Sequence, residues 1–269
     1  LEFEKEWEYE FSDGTTGTTT LPANLSAGDV TSLTLTNTLP EITGDVTFVF
    51  RARHTIVKFY MDGELIYDQE ADGRGAVKDT VFPLSGNVWN EVQLDAADSG
   101  KTITIVSEGI VKKYLVSPGE VYIGDRASFL LQLMHSRAST ILGAIVLVVL
   151  SMILFALWLI LSVSTKAKYN ECLWLSIFTV SVALWEFTET RCLQFTLPNV
   201  RAPSIFAFEI LPLCPAAMAM YFTYGRREKT VKLAHIAATI PLAVWVLNNA
   251  LHFLHVCDIS ETVIISQIM

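Results

Sequence analysis

One segment of the chain strongly restricts the folds open to it: Thr140–Ser164 is a long apolar run without a charged residue. A helix of about 20 apolar residues crosses the roughly 30 Å hydrocarbon core of a bilayer, because it satisfies its backbone polar groups internally. Similar runs follow near 172–190, 203–224 and 233–255, and another begins near Thr262. The sequence therefore predicts a helical membrane region over residues 140–269, and we expect its fifth helix to continue in a longer protein.

The charges divide the chain into two parts of different chemistry. Residues 1–126 carry 21 acidic and 10 basic side chains, whereas the later residues carry 7 acidic and 9 basic ones. The first part is long enough for one independent domain, and its acidity disfavours nucleic acid as a partner, because phosphate binding relies on Lys and Arg. The 4 cysteines all follow residue 126, so this domain is built without disulfides.

Residues 1–126 have the pattern of an all-β domain. Asp62-Gly63 lies between two apolar segments and predicts a hairpin, because glycine supplies the positive φ that a type I′ turn requires. About eight short strands favour a two-sheet sandwich, jelly-roll-like or galactose-binding-like. We place these strands near Glu4–Phe11, Ser32–Thr38, Val46–Arg53, Ile56–Met61, Glu64–Tyr67, Glu91–Leu94, Lys101–Val106 and Glu120–Ile123.

Glutamates alternate along the first predicted strand, at every even position from Glu2 to Glu10. Such a row resembles a series of carboxylate ligands for divalent cations. Charged side chains on an exposed edge strand also prevent edge-to-edge pairing of sheets. We favour the edge strand, and we predict no metal site, cofactor or catalytic residue in the chain.

Some residues of the predicted sandwich are of the types that bind a sugar or another polar ligand. Loops at the ends of sandwiches commonly carry such sites. The alternative is that the aromatic side chains lie in the core and the basic ones on a solvated face. The candidates are Arg53, His54, Tyr67, Lys78 and Trp89.

A second group of polar residues falls in the outer third of the predicted helices. Residues three or four positions apart share a face of a helix, and an ionisable residue inside a membrane usually finds a partner or a wet cavity. The group is a ligand- or proton-sensing pocket, a carboxylate–imidazole metal site, or headgroup-level side chains with Glu209 paired to Arg191 or Arg201. Its members are Glu186, Glu189, Glu209, Asn248, His252 and His255.

Basic residues occupy alternate connections between the predicted helices. Lys166 and Lys168 follow the first helix, and a second basic group spans 226–232 after the third. Positive loops face the cytoplasm, so the sandwich is predicted outside, in the extracytoplasmic space. Residues 127–139 form a juxtamembrane connector that either lies on the outer leaflet or extends the first helix. Cys192 and Cys257 follow outward-running helices and are a candidate disulfide pair.

An outer β-sandwich leads into several membrane helices, and short segments recur along both parts in a recognisable order: Leu39-Pro40, Val49–His54, Tyr60–Tyr67, Ser99–Ile105, Val121–Asp125, Trp185, Glu189 and Gln194. This ordered combination resembles bacterial seven-transmembrane receptors with diverse intracellular signalling modules. Within them it is similar to the membrane-bound diguanylate cyclases (GGDEF proteins) of Firmicutes. The resemblance implies a cytoplasmic output domain that makes cyclic di-GMP, a homodimeric full-length protein and the bacterial plasma membrane as its location.

A transporter or intramembrane enzyme with an accessory sandwich is the alternative. Transport sites place broken helices and polar groups near the bilayer midplane, and Pro212 and Pro215 supply such a break. An HExxH pair, a GxSxG elbow and a glycine-rich phosphate loop are all missing from the sequence, so a catalytic role for these residues has no motif behind it. We therefore predict a sensory and membrane region whose partners are the lipid bilayer and an unknown outer small molecule or carbohydrate.

Overall fold

The computed structural model describes residues 3, 5–71, 86–109, 112–165, 170–197, 202–222, 228–254 and 256. The chain divides into two compact units. The β unit consists of Leu1–His135 and Cys192–Ala202, and the helical unit consists of Ser136–Arg191 and Pro203–Met269. A segment that the sequence assigned to the membrane region therefore belongs to the β unit.

The β unit contains two antiparallel sheets, which confirms the prediction of an N-terminal all-β domain. The larger sheet has the strand order β2-β1-β3-β8-β5-β6, and the smaller sheet has the order β7-β4-β9. The strands are β1 Glu6–Phe11, β2 Thr16–Thr20, β3 Ser32–Thr38, β4 Val46–Arg53, β5 Ile56–Met61, β6 Glu64–Asp68, β7 Asn87–Leu94, β8 Thr102–Glu108 and β9 Val121–Gly124.

The two sheets share one hydrophobic core. Alternation along the strands directs Trp7 and Phe11 of β1, Phe48 and Phe50 of β4, and Phe59 of β5 into it, because successive side chains of a strand point to opposite faces. The rings of Phe48 and Phe59 are 5.3 Å apart and tilted. This aromatic interior aligns the two sheets face to face.

The interpretation of the acidic strand as an edge strand is wrong. β1 lies between β2 and β3, and the edges of the sheet are β6 and β2, the latter missed by the sequence analysis. β2 reads TGTTT, without an apolar side chain, so hydrophobic alternation gave no signal there. Glu6, Glu8 and Glu10 project from the exposed face of β1; Glu2 and Glu4 lie outside the described residues.

The helical unit contains, within the described residues, four helical spans long and apolar enough to cross a membrane. They correspond to α3 Ala138–Thr165, α4 Asn170–Glu189, the pair α5 Ala202–Ile210 and α6 Leu213–Tyr221, and α7 Glu228–Phe253. The third span breaks at Leu211-Pro212, because proline lacks the N–H that would continue the helix. The helix expected near Thr262 lies outside the described residues.

Small and hydroxyl side chains fill the interior of the helical unit, while large apolar ones lie on its surface. Ser151 of α3 and Ser176 of α4 are buried and hydrogen-bonded to each other, with their oxygens 3.0 Å apart. Leu142 and Val163 of α3 are 63% and 73% exposed. Small residues at helix contacts are typical of membrane helices.

Candidate functional site

The outer face of the smaller sheet has an apolar half and a polar half. On β4, Val49 points to this face toward one end, and Arg51 and Arg53 point to it toward the other. Trp89 of β7 is paired with Arg51 in the ladder, and the Arg51 guanidinium lies 5.8 Å from the centre of the Trp89 ring. The two halves therefore meet at Trp89.

Helix α2 (Arg126–Ser136) covers the apolar half. Asp125 begins this helix, because its carboxylate accepts hydrogen bonds from the Ser128 N–H and hydroxyl at 2.8 and 3.0 Å, and these bonds hold the pKa of Asp125 below its ordinary value. The side chains in contact form a second core, named here the outer cluster: Val49, Trp89, Phe129 and Leu133. The connector predicted over 127–139 thus packs on the sandwich over its first turns.

A short segment after α4 completes the cover. Cys192–Phe195 form a 3-10 turn that belongs to the β unit. The buried Gln194 side chain accepts a hydrogen bond from the Trp89 N–H at 2.9 Å and donates one to the Trp89 carbonyl oxygen at 3.4 Å. The ring of Phe195 lies edge-on to that of Phe129, 6.4 Å away. The Gln194 side chain thus makes the two hydrogen bonds with the Trp89 backbone that a neighbouring strand would otherwise make.

The polar half is organised by Arg51 and Glu120. One terminal nitrogen of Arg51 donates to both Glu120 carboxylate oxygens at 2.9 and 2.8 Å, and Arg51 Nε donates to Asn87 at 3.0 Å. Burial of Glu120 raises its pKa, but the charge and hydrogen bonds of Arg51 and the charge of Arg53 outweigh it. They hold the pKa of Glu120 below its ordinary value of 4.5.

A small cavity opens beside this ion pair, at the end of the sandwich where β4 turns into β5. Its volume is about 20 Å³. Short helix α1 (Lys112–Leu115) and the following residues close it. Gly119 packs so tightly that a Cβ there would lie 2.6 Å from the Arg51 carbonyl oxygen. The walls are mainly apolar, and Arg53, Ser107 and Tyr114 are among the polar residues that line it.

The residues proposed from sequence as sandwich ligands fall into separate places. Arg53 lines the cavity, and His54 at its turn has φ 52° and packs its ring 4.6 Å from Tyr114. Tyr67 is half-buried against the core and donates to Asn90 at 2.9 Å. Trp89 is buried in the outer cluster. Lys78 lies outside the described residues. Arg53 and His54 are neighbours at one end, whereas Tyr67 and Trp89 have packing roles.

The polar group predicted in the helices centres on Glu209 of α5. Its carboxylate accepts hydrogen bonds from the Trp245 indole at 2.6 Å and from Asn249 at 3.3 Å, both on α7. Asn249 also donates to the Trp245 carbonyl oxygen at 3.0 Å. The sequence analysis missed Trp245 and Asn249, although the Asn248-Asn249 pair places an amide on two adjacent faces of the helix. These neutral donors, rather than Arg191, hold the carboxylate.

The other predicted members of this group have different surroundings. Glu186 is half-buried, and the exposed Glu189 lies 3.4 Å from Arg191. Asn248 and His252 are buried one turn apart on α7. His255 lies outside the described residues, as do Arg201 and Cys257, so the Cys192–Cys257 pairing stays a prediction. Within the described residues, His, Cys, Asp and Glu form no group that could hold a metal ion.

Comparison with known proteins gives little. No protein-family model and no curated protein matches the chain. A selenomethionine-labelled β-glucosidase from Kluyveromyces marxianus matches with a TM-score of 0.29 and 13% identity, over 50% of this chain and 19% of the enzyme. The β-glucosidase from the same organism in complex with glucose gives 0.27 and 16%, over 50% and 18%. TM-scores this low support no conclusion about the fold or the function of this chain.

Proposed function

We propose that this chain is the sensory and membrane region of a bacterial signalling receptor. The β unit, a jelly-roll-like or galactose-binding-like sandwich, lies outside the plasma membrane and reads an outer small molecule or carbohydrate. The helices carry its state to a cytoplasmic output domain, a diguanylate cyclase by the resemblance, which works in a homodimer. The basic connections at 166–168 and 226–232 support the orientation, because positive loops face the cytoplasm.

The observation that carries this proposal is the set of chain segments that make up the β unit. Its outer cluster is built from the sandwich and from α2, which leads into α3, and Cys192–Phe195, which links α4 to α5, packs against that cluster. The sandwich thus holds chain segments joined directly to three apolar helices. In the proposed receptor, a change in the packing of Trp89 is passed to the ends of those helices.

The tie between Trp89 and Gln194 gives the test. The chain is placed in lipid nanodiscs, and amide hydrogen exchange is followed at the end of α4 and the start of α5. We expect Gln194→Ala to speed exchange at both helix ends as well as within the β unit. Gln132→Ala is the matched control, because Gln132 is an exposed amide on α2. Faster exchange in residues 192–197 with unchanged helix ends would contradict the proposal.

A transporter or intramembrane enzyme is the second candidate, and one observation favours it. The break between α5 and α6 follows Glu209 by two residues, and α7, which supplies the donors to Glu209, has Pro241 in its interior. Broken helices beside a polar group are typical of transport sites. Uptake of a solute by proteoliposomes of the chain, lost in Glu209→Gln, would favour this candidate over the receptor.

A further inference from the structure

The cavity at the end of the sandwich contains a buried donor that lacks an acceptor. Arg53 Nε is buried, and it has no hydrogen-bond partner among the described residues. The nearest carboxylate, that of Glu120, is 3.9 Å from a different nitrogen of Arg53, beyond hydrogen-bond distance. A buried polar group without a partner in a folded protein calls for an explanation, and a bound water or ion is one such explanation. Arg53 lines the cavity, so the missing acceptor belongs there.

The charges around the cavity favour an anion over a water molecule. Arg53 carries a positive charge, and the nearby Glu120 carboxylate, 3.9 Å away, already accepts two hydrogen bonds from Arg51. The Arg53 side chain is 29% exposed, so water screens its charge only in part. A positive cavity stands out in a domain whose other charges are mostly acidic. An anion beside Arg53 would restore local neutrality.

The size and the remaining polar wall of the cavity define the anion further. A volume of about 20 Å³ accommodates a species close to a water molecule in size. Ser107 and Tyr114 also line the cavity, and each carries a hydroxyl that can donate a hydrogen bond. Hydroxyl hydrogen-bond donors beside the single positive charge of Arg53 suit a small monovalent anion. A phosphate or sulfate is too large for the cavity in this form.

We propose that the cavity bounded by Arg53, Ser107 and Tyr114 binds a small monovalent anion, either chloride or the carboxylate head of a small acid. Arg53 Nε donates to the anion, and the guanidinium supplies the balancing charge. This inference rests on the proposed function in one respect only, that anion binding is the signal which the receptor reads. Binding itself is a property of the β unit, and it does not depend on the orientation of the chain in a membrane.

The test measures anion binding to the whole chain in nanodiscs. Exchange with a protein site broadens the quadrupolar NMR line of chloride, and the excess linewidth reports occupancy. We expect the wild type to broaden the chloride line and Arg53→Gln to lose most of the excess. Arg126→Gln is the matched control, because it removes one arginine of the same unit at an exposed ion pair with Glu91. Its excess linewidth should equal that of the wild type.

Formate and acetate distinguish the two sources of the anion. If either displaces chloride at a concentration below that of the chloride itself, the site is built for a carboxylate head; if chloride resists displacement, the site is a halide site. Ser107→Ala should reduce the excess linewidth while leaving Arg53 in place, which guards against an effect of misfolding in Arg53→Gln. Equal linewidths in wild type, Arg53→Gln and Ser107→Ala would overturn the proposal. The hydrogen-exchange test of Gln194 would remain unaffected by that outcome.

Discussion

The two units of this chain bury opposite kinds of side chain. In the β unit the large apolar residues are inside: Trp7 and Phe48 are each 0% exposed. In the helical unit the buried residues are mainly small or hydroxylated, such as Ala183 and Ser176, while Leu142 and Val163 lie on the surface. The β unit thus buries large apolar side chains and the helical unit buries small ones, so the same substitution is expected to have different effects in the two units.

The difference follows from the two surroundings that we propose. In water, apolar area is removed from the solvent, so aromatic and branched side chains collect in a core. In lipid, the solvent is as apolar as leucine, so helices associate through small residues that allow close approach and through hydrogen bonds between hydroxyls. The face of the sandwich covered by α2 and Cys192–Phe195 follows the first rule, even though its cover is linked to the apolar helices.

The largest expected effect comes from matched phenylalanines in the two units. Phe48→Ala empties the centre of the aromatic core and should cost the β unit about 3–5 kcal/mol of unfolding free energy. Phe155, 48% exposed on α3, should tolerate alanine in a bilayer with little change, because lipid replaces the lost contacts. Amide hydrogen exchange measured separately in each unit checks both. Equal losses would break the comparison.

The next effect concerns the ion pair of the β unit. Glu120→Gln removes the carboxylate charge that pairs with the buried Arg51 guanidinium and should cost about 2–3 kcal/mol, below the full cost of a buried pair because Glu120 is 25% exposed. The folded pKa of Glu120 is depressed, so its stabilisation is present above 4.5 and is lost as the pH falls below that value. Urea unfolding of the wild type should weaken in that acidic range more than that of Glu120→Gln.

A smaller loss is expected from the hydrogen bonds of the outer cluster. Gln194→Ala leaves the Trp89 N–H and carbonyl oxygen buried without their partner and should destabilise the β unit by about 1–2 kcal/mol. The exchange rate of the Trp89 amide measures this directly, since opening now requires less free energy. An unchanged rate, with Gln132→Ala as reference, would mean that residues 192–197 are not held to the sandwich.

The smallest effect sharpens the rule for the helices. Ser151→Ala removes the hydrogen bonds that the Ser151 hydroxyl makes with Ser176 between α3 and α4, and it leaves the bond from the Ser176 hydroxyl to the Ser151 carbonyl oxygen. Hydrogen bonds between membrane helices average about 0.6 kcal/mol, so the loss should be of that size. Thermal unfolding in nanodiscs should shift only slightly, and a shift as large as that of Phe48→Ala would argue for a water-exposed bundle instead.

The sequence predicted most of the elements because periodicity is local. Eight strands fell near their observed places, and the uncharged run at Thr140–Ser164 marked α3 within a few residues. β2 was missed because threonines give no hydrophobic alternation. The position of β1 inside its sheet was missed because strand order depends on contacts distant in the sequence.

The candidate site was less accessible to sequence reasoning. Arg53 and His54 were chosen by residue type, but the ion pair of Arg51 with Glu120 joins residues 69 positions apart, which no spacing indicates. Gln194 binds Trp89 across 105 positions. In the helices, the face shared by Asn248 and His252 was evident from spacing. The partners of Glu209, which are Trp245 and Asn249, lie on the adjacent face of α7. The rotation of α7 about its own axis determines which face meets α5, and spacing alone does not give that rotation.

The orientation of the β unit is the most direct test of the receptor proposal. Single cysteines at Glu64, exposed on β6, and at Lys168 are treated with a membrane-impermeant thiol reagent in intact bacterial cells. The native cysteines are first replaced by alanine at Cys172, Cys192, Cys214 and Cys257. We expect Glu64→Cys to be labelled and Lys168→Cys to be labelled only after lysis. Labelling of Lys168→Cys in intact cells, with Glu64→Cys protected, would place the sandwich in the cytoplasm and contradict an outer sensor.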